Sequence, residues 1–161
     1  IIIYKSNYGT TRKYAEWLGE ETGFEVRDVK KVKTKDIKDK DLIIFGSPIY
    51  AHKIIIANWI QKKWKVLDNK KVVLFSTSGA SSDDPVLRKV KRDSFNMQIR
   101  NRIKYFPLGG KFVMDELNGL HKFFIRIGTK IEKAPEVREE MVKDKDNIDR
   151  EGIRPILDYI R

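Results

Sequence analysis

The sequence predicts an α/β fold: a three-layer sandwich on a five-stranded parallel sheet of order 2-1-3-4-5, with a helical excursion after the fifth strand. Three observations predict it. The runs Ile1-Ile2-Ile3-Tyr4, Leu42-Ile43-Ile44-Phe45 and Val72-Val73-Leu74-Phe75 are continuously apolar, the pattern of strands covered on both faces. Each run ends in a small polar loop that contains glycine. Each loop opens onto a stretch with helical spacing, and strand, loop and helix repeated in this way give parallel strands joined by right-handed crossovers.

Taken in order, Ile1–Tyr4 is the first strand and Ser6–Thr11 its loop, with Tyr14, Trp17, Leu18 and Glu21 setting the first helix. Phe24–Val29 reads as a weaker strand near an edge. Lys30–Lys40 is lysine-rich, a solvated connection with one helical turn. Leu42–Phe45 is the third strand and Gly46–His52 its loop, followed by a helix marked by Ile55, Trp59, Ile60 and Trp64. Val72–Phe75 is the fourth strand, and the loop Ser76–Asp84 leads to a helix carrying Val86, Val90 and Ile99. Asp83-Asp84 before Pro85 is a helix-start signal, with proline at the opening position. Ile103–Leu108 is the fifth strand, and a last helix runs from about Ile148 to Ile160. Residues 107–135 lie between them, too long for an ordinary connection. With no internal repeat or low-complexity linker, the 161 residues suit one compact domain, 1–161.

The composition narrows the function classes. At 40% hydrophobic and 35% charged, the chain has enough apolar residues for a core and is neither disordered nor collagen-like. Without cysteine, it has no disulfide framework, thiolate metal site or cysteine nucleophile. His52 and His121 are the only histidines, too few for a multi-histidine metal centre, and neither has neighbours that suggest a Ser-His-Asp arrangement. The 34 Lys and Arg against 23 Asp and Glu give a formal charge of +11, which bears on partners and not on fold. No helix-turn-helix, zinc or RNA-binding signature accompanies the charge, so no nucleic-acid partner is expected. No apolar run approaches the roughly 20 residues needed to cross a bilayer. With no secretory signal pattern visible, the expected location is cytoplasmic.

In a parallel α/β sheet, ligands bind beyond the carboxyl ends of the strands, near the reversal of strand order. The three glycine-containing loops all leave strands at that edge and should converge. In Ser6-Asn7-Tyr8-Gly9-Thr10-Thr11, the hydroxyls of Ser6, Thr10 and Thr11 join the free N–H groups of a helix start, and Gly9 lets backbone wrap closely round an anion. No lysine lies in this loop, so it is not a nucleoside-triphosphate loop, and no dinucleotide fingerprint is present. Two readings of the loop alone stay open: a cradle for a monoester phosphate, and a plain helix N-cap at Thr10 or Thr11. Lys5 and Ser6, standing where a magnesium site would need clustered acids, remove the receiver-domain reading of the same strand order.

Tyr4–Thr11 followed by Ala15 resembles the flavodoxin phosphate loop, Ser/Thr-x-x-Gly-x-Thr opening the first helix. Phe45-Gly46-Ser47-Pro48-Ile49-Tyr50-Ala51-His52 resembles the flavin-flanking loop of that superfamily, and Ser76-Thr77-Ser78-Gly79-Ala80 matches the position of its third flavin loop. The resemblance covers essentially the whole chain. It is nearest to the flavodoxin-like group that includes the menaquinone-dependent protoporphyrinogen oxidases, where a helical excursion also follows the fifth strand, here Leu108–Lys133. It implies a flavodoxin-like three-layer sandwich with FMN as cofactor. By position, Ser6, Tyr8, Gly9, Thr10 and Thr11 would hold the phosphate, and Ser47, Pro48, Ile49 and Tyr50 would border the isoalloxazine, Tyr50 stacking on it. Ala51 and His52 would complete that loop, His52 as a donor to flavin or substrate. Ser76, Thr77, Ser78 and Gly79 would face the opposite edge of the ring. The resemblance implies no acid, base or nucleophile.

In the excursion, Leu117, Leu120, Phe124, Ile127 and Ile131 recur at three- and four-residue steps, an apolar helical stripe that Phe123 and Ile125 widen. Lys122, Arg126 and Lys130 form a basic stripe on another face. Either the helix packs on the sheet edge with a solvated back, or it overhangs the flavin and presents an apolar, basic surface to a quinone, a porphyrin or the membrane carrying the quinone. Arg88, Lys89, Lys91, Arg92, Arg100, Arg102 and Lys104, against Asp93 alone, add a second basic cluster. The expected function is that of an FMN oxidoreductase of the protoporphyrinogen-oxidase kind, in heme biosynthesis, passing hydrogen equivalents to a quinone. The alternative is a flavodoxin-type electron carrier without a substrate of its own. Expected partners are a redox protein or an anionic small molecule such as a porphyrinogen, with contact at the inner face of the membrane.

Overall fold

A computed structural model describes residues 1–161. The chain begins with β1 (Ile2–Tyr4), α1 (Thr10–Thr22), β2 (Val26–Asp28) and the single turn α2 (Thr34–Lys38). It continues with β3 (Leu42–Tyr50), the short β4 (Lys53–Ile54), α3 (Ala57–Lys62), α4 (Trp64–Leu67) and β5 (Lys71–Ser78). Then follow α5 (Pro85–Ser94), α6 (Met97–Arg102), β6 (Ile103–Gly109), β7 (Lys111–Phe112), α7 (Gly119–Ile131), α8 (Pro135–Val142), β8 (Lys145–Asp146) and α9 (Arg154–Ile160).

The parallel strands lie in the order β2-β1-β3-β5-β6, which is 2-1-3-4-5 once the hairpin strand β4 is set aside. Both faces of the sheet are covered, because alternate residues of the same strands feed two separate cores. Ile3, Ile43, Phe45, Val72 and Leu74 join α3, α4, α5 and α6 on one side. Ile2, Ile44, Val73 and Phe75 join Tyr14, Ala15 and Leu18 of α1 and Ile156 and Leu157 of α9 on the other.

The third strand is longer than its apolar run. Ser47-Pro48-Ile49-Tyr50, expected in a loop, continues β3, with Ser47 paired to Ser76 and Pro48 to Thr77 of β5. β1 ends at Tyr4 opposite Gly46, and beyond it the returning hairpin takes that flank, Ile55 N–H donating to the Pro48 carbonyl at 3.3 Å; proline is tolerated at this margin of the sheet. Gly46 has a packing reason: a Cβ there would lie 2.3 Å from the Phe75 ring. Beyond Tyr50 the chain turns through Ala51 and His52, both with positive φ (46° and 57°), and returns as β4.

Several helices are shorter than their spacing predicts. The stretch after β4 divides at Lys63 into α3 and α4. The next divides at Phe95, a buried residue in extended backbone, where Asn96 caps a new helix through Ile99 N–H. Asp84 caps α5 through Val86 N–H, with Pro85 opening the helix as expected. The last helix does not start near Ile148: a 3-10 turn over Arg150–Ile153 precedes α9, whose opening Pro155 donates no backbone hydrogen bond. The excursion is longer than expected. It runs on through α8, and β7 and β8 close its base as an antiparallel pair, Lys111 with Asp146 and Phe112 with Lys145. No helix is long and apolar enough to cross a membrane.

Candidate functional site

The loops after β1, β3 and β5 leave the same edge of the sheet, since all three strands are parallel. At the first, Gly9 has φ 91° and stands at the N-cap of α1, with its N–H donating to Ser6 Oγ at 3.1 Å. No side chain caps this helix and no acidic residue lies in its first turn, so its positive end is uncompensated by the chain itself. Nothing lies within 4 Å of where a Gly9 Cβ would be, so the space beside it is open.

The structure separates two kinds of hydroxyl among the predicted site residues. Thr11 is buried and its Oγ1 lies 2.8 Å from Thr77 Oγ1, a bond that ties the first turn of α1 to the end of β5. Ser76 points to the other core, 2.6 Å from the Tyr105 hydroxyl. Ser47 Oγ accepts from Ile56 N–H at 3.1 Å and donates to the Pro48 carbonyl at 2.9 Å. Thr11, Ser76 and Thr77 were expected to offer hydroxyls to a ligand and Ser47 to border its ring; all four hydroxyls are engaged inside the fold. For Ser47, Ser76 and Thr77 the reason is that successive residues of β3 and β5 face the two cores in turn, and Thr11 of α1 is held inward by its bond to Thr77. Ser6 and Thr10 are only partly covered, and Ser78 Oγ is buried without a hydrogen-bond partner.

On the second loop, Ile49 packs partly buried against one core. His52 is exposed at the tip of the hairpin beside Ala51, in left-handed backbone. Tyr50 faces the first loop, its ring centroid 6.2 Å from that of Tyr8 in an edge-on arrangement. Burial, and then the neighbouring Tyr8, hold the Tyr50 phenol well above its usual value, so it is a neutral group at this edge.

His121 completes the cluster and was given no role by the sequence reading. Its ring centroid lies 4.7 Å from that of Tyr50, with the planes at 41°. Its Nδ1 lies 2.5 Å from the Tyr8 hydroxyl, which also accepts from Asn118 N–H at 3.2 Å. Asn118 caps α7 by accepting from His121 N–H at 2.9 Å, which fixes His121 in the first turn of that helix. Three rings from three separate segments therefore meet at one edge. Neither the cap at Asn118 nor the meeting of His121 with Tyr8 was drawn from the sequence, although an asparagine ahead of an apolar helical stripe is a local start signal. At the third loop, Asn147 Nδ2 donates to the Gly79 carbonyl at 3.4 Å, so the base of the excursion borders this loop as well.

A surface depression lined by Lys38, Lys65, Lys70 and Arg102 lies elsewhere. It shares no residue with the three loops. The site is defined by converging backbone and side chains at the sheet edge.

Residues 1–138 match the family described as flavodoxin domain. The chain belongs to that family. The match ends before α9, yet α9 supplies Ile156 and Leu157 to one core of this flavodoxin domain. An uncharacterized protein of Methanocaldococcus jannaschii is 29% identical over 157 residues, covering 89% of this chain and 98% of that one. Among solved structures, the Trp repressor binding protein of Bacillus subtilis superposes with a TM-score of 0.51 at 15% identity, covering 68% of this chain and 83% of that one. A candidate flavoprotein of Bacteroides eggerthii gives 0.50 at 20% identity, covering 78% and 94%. At these identities the likeness establishes the fold: a flavodoxin-like parallel sheet flanked by helices.

Proposed function

We propose that this flavodoxin domain binds FMN at the three-loop edge and acts as a redox flavoprotein, passing hydrogen equivalents or electrons to a quinone or similar acceptor. The observation that carries this reading is the start of α1: a left-handed glycine, no side-chain cap, no acid in the first turn and open space beside Gly9. A phosphate monoester supplies the missing counter-charge and accepts from the free N–H groups of Thr10, Thr11 and Arg12. Ser6 and Thr10 add hydroxyls, and the partnerless Ser78 Oγ at the end of β5 fits a ligand with several polar edges.

When bound, FMN supplies transfer of one or two electrons at its ring system. The chain's own residues bind and orient it. Tyr50, Tyr8 and His121 supply an aromatic wall, of which Tyr50, its phenol raised by burial, is a neutral face. A neutral aromatic face such as that of Tyr50 disfavours added negative charge on a flavin, which tunes its potential downward.

The finer reading within this function is a protoporphyrinogen-oxidase-like activity. It is supported by the excursion at the flavin edge and by the basic surface, whose lysines and arginines suit the propionates of a porphyrin. The test is anaerobic reduction of the FMN-loaded protein by protoporphyrinogen, NADH and NADPH side by side, followed by reoxidation with a menaquinone analogue. Reduction by porphyrinogen alone is the expected result. Exchange only with other redox proteins would overturn the enzyme reading in favour of a carrier, and a protein that stays colourless after FMN is added and excess removed would overturn flavin binding itself.

A further inference from the structure

The helix of the excursion presents a face that the rest of the chain does not cover. None of the 13 residues of α7 is buried. Leu120, Phe123, Phe124, Ile127 and Ile131 are 61%, 56%, 58%, 37% and 72% exposed, and their spacing of three and four residues puts them on one stripe. The contacts that hold α7 leave from other parts of its circumference: His121 reaches Tyr8 and Tyr50, Gly128 lies against Met141 of α8, and Lys122 Nζ donates to the Asp115 carbonyl at 3.0 Å. The apolar stripe is thus turned away from the body of the protein. Lys122, Arg126 and Lys130 recur at four-residue steps along one side of it, and α7 contains no acidic residue.

We infer that α7 is an interfacial helix that seats the protein on a lipid bilayer with anionic headgroups. The charge pattern selects this occupant. An apolar stripe edged by lysine and arginine on a helix lying in the membrane plane buries the first in the acyl boundary and meets lipid phosphates with the second. A second copy of this chain, itself at +11, would bring like-charged stripes together. The helix lies on the surface and does not cross it, since at 13 residues it is about 20 Å long against a hydrocarbon core of about 30 Å. The inference rests on α7 alone and does not depend on FMN binding.

Co-sedimentation of the full chain with vesicles of pure phosphatidylcholine, and with vesicles rich in phosphatidylglycerol, tests it at low and high salt. The expected result is binding to the anionic vesicles that salt weakens, with far weaker binding to the neutral ones. Replacing Lys122, Arg126 and Lys130 together by Gln should weaken anionic binding roughly a hundredfold, at about fivefold per charge. A charge-neutral pair, Phe123→Ser with Phe124→Ser, should weaken it at least about tenfold, because apolar burial is part of the attachment. Anionic binding that survives the phenylalanine replacements unchanged is plain charge attraction and overturns the proposal, as does absence of binding by the parent protein. A dimer in analytical ultracentrifugation that the same replacements dissociate would assign the stripe to a second copy and likewise overturn it.

Discussion

The hydroxyl of Tyr8 and Nδ1 of His121 lie 2.5 Å apart, joining residues 113 positions distant along the chain. Through this bond the loop after β1 holds the first turn of α7, which has no buried side chain of its own. A helix attached so lightly depends on its few polar contacts. Tyr8→Phe removes the bond together with the acceptor for Asn118 N–H and should cost about 1 kcal/mol in the closing of α7. Hydrogen exchange checks this: amides in residues 118–131 should exchange several-fold faster while those of β3 and β5 keep their protection.

The Thr11–Thr77 pair makes a second prediction. Thr11→Val leaves the buried Thr77 hydroxyl without its partner, at a cost of about 1–3 kcal/mol. Replacing both threonines by valine removes both polar groups and should recover most of that loss. Denaturant unfolding of the two single variants and the double variant measures the coupling, and strict additivity would show that the bond contributes nothing.

Gly9 tests the anion cradle. At φ 91° an alanine is strained, and no neighbour crowds its Cβ, so Gly9→Ala isolates the backbone effect at about 1–2 kcal/mol. Relaxation of that strain would re-aim the N–H groups that start α1. FMN titration should therefore show weaker binding than the loss of stability alone produces, and unchanged affinity would place the phosphate elsewhere.

Gly46 makes a purely structural prediction. Gly46→Ala drives a methyl into the Phe75 ring and should destabilise the fold by about 1–3 kcal/mol. Combining it with Phe75→Leu should recover part of the loss, because a smaller side chain makes room. Thermal melts of the single and double variants decide it.

Tyr50 predicts a pH dependence. Its phenol is held above the ordinary value of 10.0, chiefly by burial. A raised folded-state value means that this contribution to stability is complete below pH 10.0 and is lost as pH rises above it, where the unfolded chain gives up its proton first. Tyr14 and Tyr105 are raised in the same sense and share the decline. Tyr50→Phe should flatten the fall of Tm above pH 10.0, and an unchanged slope would mean that Tyr50 ionises as freely in the folded protein.

The strands and their order were legible because continuous apolar runs have only one comfortable place in an α/β sheet. The cap at Asp84 was legible for a local reason, an acid before a proline. The length of β3 was not. Ser47 and Pro48 have the propensities of a loop, and pairing with Ser76 and Thr77 overrides them. The same distinction runs through the site. Its loops could be read from glycine and hydroxyl residues, but which hydroxyls face inward depends on strand phase and on partners far away, as with Ser76 and Tyr105. His121 left no trace in local sequence, since its role is a contact with a loop at the opposite end of the chain.

The pairing of β7 with β8 has an architectural consequence. It brings the two ends of the excursion side by side, and neither core contains a residue between Lys111 and Asp146. The segment is in effect a detachable cassette, plugged into the sheet edge at its base and latched to the first loop through Tyr8. Such a unit can be lengthened, exchanged or lost while the sheet beneath it stays folded, because shortening a closed surface loop changes its closure entropy only slightly. Evolution is thereby free to rewrite what this edge of the protein touches without renegotiating the fold that supports it.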